Sequence, residues 1–149
     1  MDTLTLYAGL DYHQDSIQVC IMDQQANIRA NRSCPNDLAA VTKLLSSTGK
    51  VDAIAMEACC GSADLAEKLA AHQDWRVELA HAGYVARLKG SPDKTDYSDA
   101  RRLADLTRVG YLPKVWLAPP ASRDRRQLVH HRQRLINQRR DLKLQIGAG

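Results

Sequence analysis

The chain has 149 residues, of which 44% are hydrophobic and only 5% aromatic with no Phe, and it carries a net charge of +4. This is one domain's worth of chain with a core of Ala, Leu, Val and Ile, a composition that suits helices packed on a sheet. No apolar run approaches the roughly 20 residues of a membrane span and no basic-then-apolar leader opens the chain, so a cytoplasmic, soluble protein with no membrane partner is expected. The charge is unevenly spread, with +7 on residues 114–149 and −3 on residues 1–113. Such a tail is either the footprint of a polyanionic partner or a solvated helix face, and charge alone does not separate the two. Cys20, Cys34, Cys59 and Cys60 form no pair of C-x-x-C units, and the histidines do not complete a zinc site, so reduced and mostly buried thiols are expected.

In chain order, residues 4–11 read as a mostly buried strand ending at Asp11. Residues 16–22 alternate Ile17, Val19 and Ile21 against Gln18, Cys20 and Met22, the period of a strand. The short polar link His13-Gln14-Asp15 predicts a hairpin between them, and the turn Asp23-Gln24-Gln25 predicts a third strand over 26–32. Asn36 or Asp37 can cap a helix carrying Leu38, Val41, Leu44 and Leu45. Residues 51–57 read as a fourth strand closing on Glu57, residues 62–72 as a helix with Leu65, Ala66 and Leu69 facing in, and residues 75–80 as a fifth strand. After the polar loop 89–94 a helix runs from about Asp96 to Arg108.

Three hairpin-joined strands followed by alternating helix and strand predict an α/β fold: a mixed sheet of about five strands, the first three antiparallel, with helices on both faces and a long basic helix after it. The order matches a ribonuclease-H-like fold. In that architecture the first and fourth strands are neighbours, which brings Asp11 and Glu57 together at their carboxyl ends. Two acids placed there repel each other unless protons or a cation neutralise them. Asp96 and Asp99, three apart on a helix, project from one face and can share a divalent cation. They equally complement the amide groups and dipole of a first helical turn.

If all four acids converge, hard oxygen ligands point to Mg2+, with Mn2+ as a substitute. A pair of such ions about 3.5 to 4 Å apart clamps the attacking and leaving oxygens of a phosphodiester. The candidate chemistry is strand cleavage or transfer on nucleic acid.

The tail over 120–146 repeats Leu128, Leu135 and Leu142 every seven residues with Val129 and Ile136 alongside, a narrow apolar stripe on a helix dense in Arg. It fits a partner helix, in a homodimer or higher homo-oligomer, or packing back on its own domain. Lys89, Lys94, Arg123, Arg126, Arg132 and Arg139 are the candidate phosphate contacts, giving salt-sensitive affinity without sequence specificity. Adjacent His130 and His131 point in different directions on a helix and do not suggest a metal pair.

The Asp, Glu, Asp, Asp series, Glu57-Ala58-Cys59-Cys60-Gly61-Ser62, Lys94-Thr95-Asp96-Tyr97-Ser98-Asp99-Ala100 and Leu112-Pro113-Lys114-Val115-Trp116-Leu117-Ala118-Pro119-Pro120 with its Arg-rich sequel resemble the N-terminal RuvC-like domain of DEDD-type transposases of insertion-sequence family 110. The resemblance spans essentially the whole chain and implies a recombinase of bacterial insertion sequences, acting on DNA with magnesium under the direction of a structured RNA. It makes Asp11, Glu57, Asp96 and Asp99 the metal-binding catalytic tetrad.

It also implies a RuvC-like domain over 1–112, a linker over 113–119, the start of a coiled-coil region over 120–149, and a further C-terminal domain supplying a catalytic serine, for which the serines of this chain are not candidates. Ser62-Ala63 departs from relatives that carry an aromatic there. Three alternatives stand beside this reading. One is a stand-alone RuvC-like nuclease or Holliday-junction resolvase, another a non-catalytic nucleic-acid-binding dimerisation module, and the third an actin-like or sugar-kinase-type nucleotide-binding half. The last expects small Gly and Thr residues after Asp11, where Tyr12, His13 and Gln14 stand.

Overall fold

Strand β1 (Leu6–Tyr12) is the axis of a five-stranded sheet of order β3-β2-β1-β4-β5. The computed structural model describes residues 4–59, 61–87, 95–115 and 120–147. The chain divides into two compact units, Met1–Trp116 and Leu117–Gly149. In the first unit β2 (Ser16–Asp23) pairs antiparallel with β1, and β3 (Ile28–Pro35) antiparallel with β2. β4 (Val51–Glu57) lies parallel to β1 on its other side, and β5 (Arg76–Ala80) is parallel to β4. The mixed sheet with three antiparallel strands first is therefore as the residue pattern predicts.

Alternation divides the sheet's residues between two helical layers. Leu6, Ala8 and Leu10 of β1, Ile17, Val19 and Ile21 of β2, and Ile54 and Met56 of β4 are all at most 1% exposed. Their face of the sheet carries α1 (Leu38–Ser46) and α2 (Ser62–His72), which contribute Val41, Leu45, Leu65 and Leu69. Each such side chain contributes about 1.5–3 kcal/mol on leaving water. α1 is capped by the Asp37 side chain, which accepts from the Ala39 N–H at 3.0 Å.

The opposite face carries α4 (Asp96–Val109), whose buried stripe is Ala100, Leu103, Ala104 and Thr107. Its start is set by a capping box: the Thr95 hydroxyl accepts from the Ser98 N–H, and the Ser98 hydroxyl accepts from the Thr95 N–H. It ends at Gly110, whose φ of 78° is the left-handed conformation that favours glycine. α4 sits so close to β1 that a Cβ on Gly9 would lie 2.1 Å from the Ala100 carbonyl oxygen and 2.4 Å from the Ala104 nitrogen. Only glycine admits that approach.

At the far end of α4, the Thr107 hydroxyl donates to Glu78 Oε2 on β5 at 2.8 Å. Glu78 is 8% exposed, and Lys114 Nζ at 2.9 Å and Arg76 Nε at 3.2 Å hold its other oxygen. Lys114 itself bridges to Ala80, and the Val115 N–H donates to Leu79 O, so this segment lines β5.

Several boundaries differ from the expected ones for local reasons. The third strand begins at Ile28 rather than residue 26, because Ala26 takes a left-handed φ of 67° and Asp23 captures the N–H groups of Gln25 and Asn27. It extends to Pro35, where Asn36 donates to Asp15 O. Residues 82–87 form a short helix, α3 (Ala82–Arg87), started by a Val85 N–H to His81 O bond.

Cys20 is buried, and burial pushes its thiol up to about 11, while Cys34 is half-buried. Cys59 is exposed, contrary to the expected burial, because the chain has left β4 and turns there around Ser62, whose hydroxyl binds both the N–H and the C=O of Cys59. Cys60 lies outside the described residues. The second unit is the helix α5 (Pro120–Gly147), along which Leu128, Val129, Leu135, Ile136 and Leu142 are exposed.

Candidate active site

Register and alternation fix where the acids stand. Gly9 pairs with Cys20 on one side and Ala55 on the other, and all three belong to the face that α4 covers. Two residues further on, Asp11 opposite Gln18 and Glu57 beyond Ala55 lie on that same face. Leu10 pairs with Met56, so Asp11 and Glu57 are each the next residue on adjacent parallel strands. They stand at the carboxyl ends of these strands, where an open α/β sheet offers its crevice.

α4 brings the other two acids to this end. Asp96 opens the helix and Asp99 follows one turn later. The first turn is tied to the sheet by Asn31 of β3, whose side-chain amide donates to Tyr97 O at 3.1 Å while its own carbonyl accepts from Gln18 Nε2 at 2.7 Å. The side chain of Asp11 is 16% exposed and that of Asp99 is 18%, against 61% for Asp96. Asp99 also meets Arg102 at 3.4 Å.

His13, read from the sequence only as a turn residue, joins the acids. Its Nε2 lies 3.0 Å from Asp11 Oδ2 and 3.1 Å from Asp96 Oδ1. Asp11, His13 and Asp96 each offer a ligating atom within 4.8 Å of the others. Glu57 and Asp99 are not in that group of three. Asp99 is nonetheless near enough to act on Asp11 electrostatically.

The charge balance is unfavourable to a bare carboxylate. Burial first, and then the negative charges of Asp99 and Asp96, push the Asp11 carboxyl up to about 6 against the lowering pull of His13. For His13, burial works against the charged form, but Asp11 and Asp96 outweigh it and hold the imidazole above its ordinary value. Hard oxygen donors that repel one another are the donor set a small divalent cation neutralises, so these residues fit Mg2+ or Mn2+.

The model of the DEDD transposase family of IS110, described as "Transposase", matches residues 8–148. The chain belongs to that family. No curated protein matches it. Among solved structures, the chain is similar to one described as "T. thermophilus RuvC in complex with Holliday junction substrate", with a TM-score of 0.55 and 11% identity over 74% of this chain and 99% of that one. At that identity the likeness establishes the fold, which is RuvC-like.

The expected nucleic-acid contacts are only partly described. Lys89 and Lys94 lie outside the described residues, as do the side chains of Arg123 and Arg126. Arg132 and Arg139 are exposed on α5. A cleft of about 500 Å³ lined by Tyr12, Asn36, Gly61, Asp64 and Lys68 lies on the other face of the sheet, because Tyr12 alternates away from Asp11. No described helix is long and apolar enough to cross a membrane.

Proposed function

We propose that this chain is the N-terminal catalytic domain of a transposase that cleaves and transfers DNA strands with Mg2+, for which Mn2+ can substitute. The observation that carries the reading is the meeting of Asp11 from β1 and Asp96 from α4 around one nitrogen of His13, in a chain of a transposase family. In this reading Asp11, Glu57, Asp96 and Asp99 hold the cation. A bound divalent cation supplies positive charge to the attacking and leaving oxygens of the phosphodiester.

The protein's own part is positional and electrostatic. β1 and β4 hold Asp11 and Glu57 at neighbouring strand ends, while α4, seated on Gly9, delivers Asp96 and Asp99. Asp11 must give up its proton to become a ligand, which its value of about 6 permits at neutral pH. Lys89, Lys94, Arg123, Arg126, Arg132 and Arg139 contact the phosphate backbone, adding salt-sensitive affinity without sequence specificity. The heptad leucines of α5 join two chains in a coiled coil, and a guide RNA together with a further C-terminal serine domain complete recombination.

Calorimetric titration of Mn2+ into the wild-type chain, Asp11→Asn and Asp99→Asn tests the site. The reading requires binding in the first and a loss of about tenfold or more in the other two; equal binding in all three removes the tetrad.

A second reading is a self-sufficient RuvC-like nuclease, favoured by the match to 99% of the RuvC chain solved with a Holliday junction. Metal-dependent cleavage of a four-way junction by this chain alone would favour it over the first.

A further inference from the structure

We infer that His13 is itself a ligand of the cation proposed above, and that its nitrogen makes the site prefer a first-row transition ion such as Mn2+ to Mg2+. The inference rests on the metal-site reading and adds to the acids a donor of a different kind.

The placement of His13 is built rather than incidental. It opens the turn between β1 and β2, and its N–H donates to Ser16 O at 3.0 Å. Asn36 then holds the turn from outside: its side-chain amide donates to His13 O at 2.9 Å and Gln14 O at 3.1 Å, and its backbone N–H donates to Asp15 O at 3.2 Å. The imidazole is presented from this fixed turn to two carboxylates that come from β1 and α4. Asp96 is 83 residues further along the chain.

The spacing suits shared ligation. Neighbouring ligands on an octahedron with bonds of about 2.1 Å stand about 3.0 Å apart. Nε2 lies 3.0 Å from one carboxylate oxygen and 3.1 Å from the other. A single Nε2–H has one proton and cannot direct straight bonds at both oxygens. The lone pair of the same atom, with one oxygen from each acid, can address a common centre.

The chemical consequence follows from ligand type. Mg2+ takes oxygen donors and keeps its water, whereas imidazole nitrogen is a good donor for transition ions. A site of carboxylates alone discriminates weakly between Mg2+ and Mn2+; one nitrogen shifts the balance toward Mn2+. His13 is therefore a residue that selects the metal.

Pulsed electron paramagnetic resonance of the Mn2+-loaded chain reads the ligand directly, because a coordinated imidazole modulates the echo with 14N coupling. Wild type should show this coupling, and His13→Ala and His13→Gln should lack it. Calorimetric competition should show the Mn2+-over-Mg2+ preference falling about tenfold in both variants. His13→Gln retains a polar side chain of similar reach, so a shared loss marks the nitrogen rather than the space.

Mn2+ that binds in an Asp11-dependent way, without 14N coupling and with an unchanged preference in the variants, overturns the role of His13 and leaves the metal site standing. Coupling that persists in His13→Ala assigns the nitrogen to another histidine and also overturns it. Absence of any Asp11-dependent binding in the wild type overturns the metal-site reading itself.

Discussion

The β1–β2 ladder carries a carboxylate at one end and another beside the last pair of the other end, and the fold treats the two in opposite ways. Asp23, paired with Leu6, is fully buried. The N–H groups of Gln25 and Asn27 donate to its Oδ1, and Asn27 Nδ2 with Arg29 Nε and Nη2 donate to its Oδ2. Burial alone would raise its pKa, but these donors outweigh it and hold the carboxyl below its ordinary value. Asp11, opposite Gln18, has an imidazole and two further acids for company, and its carboxyl is pushed up to about 6. A carboxylate whose lone pairs are all met is a structural part; one that faces its own kind is, in the function proposed above, a seat for a cation.

The most damaging test strikes β1 between the two. Gly9→Ala places a methyl against the backbone of Ala100 and Ala104, which cannot yield as a side-chain tip can. α4 must lift, carrying Asp96 and Asp99 away from Asp11. The expected loss is about 3 kcal/mol in urea denaturation, with metal affinity lost as well. A stable Gly9→Ala chain with intact Mn2+ binding would show that α4 does not rest on β1 in solution.

Next in size, Asp23→Ala and Asp11→Asn should diverge in metal-free melting. Removing the Asp23 carboxylate strands the donors of Asn27 and Arg29 and lowers Tm by several degrees. Asp11→Asn relieves repulsion from Asp96 and Asp99 and leaves Tm unchanged or higher at pH 7. Equal losses in the two variants would erase the distinction between them.

The same contrast predicts opposite slopes with pH. Below about 3.8 the unfolded chain protonates Asp23 while the folded chain resists, so stability falls as the pH drops through the depressed folded value. Between 3.8 and about 6 the folded chain keeps a proton on Asp11 that the unfolded chain has released, so this contribution declines as pH rises. His13, raised above 6.5, adds a decline of the same sign through its folded value. Metal-free Tm should therefore peak near pH 4, fall below it as Asp23 is protonated, and decline above it through about pH 6 and beyond as Asp11 and then His13 lose their protons. Saturating Mn2+, which binds only the folded, deprotonated site, should lift the alkaline limb and shed protons on binding.

Much of this architecture is legible in the residues because local periodicity decides it. β4 over Val51–Glu57 and α2 over Ser62–His72 have the expected limits, being bounded by Gly and polar turns. Asp11 and Glu57 at neighbouring strand ends follow from strand order alone. What escapes sequence reading depends on contacts remote in the chain or on turn chemistry. His13 is an ordinary polar turn residue until α4 folds over it, and Glu78 sits in an unremarkable strand until Thr107 and Lys114 reach it. Asp23 looks like a solvated turn acid; only the donors of Gln25, Asn27 and Arg29, gathered around the left-handed Ala26, make its burial tolerable.

The smallest expected effect is at Asn31, and it separates the two kinds of carboxylate most finely. Its amide joins Gln18 on β2 to the carbonyl of Tyr97 in the first turn of α4. These bonds are near the surface, so Asn31→Ala should cost about 1 kcal/mol or less in urea denaturation. Thr107 and Glu78 still hold the other end of the helix, and the environment of Asp23 is untouched. The turn that presents Asp96 is nevertheless released from the sheet. Mn2+ affinity should therefore fall severalfold while the acid limb of the melting profile stays as in the wild type. A loss of stability without a loss of metal affinity would mean that Asp96 is positioned by the capping box of Thr95 and Ser98 rather than by the sheet.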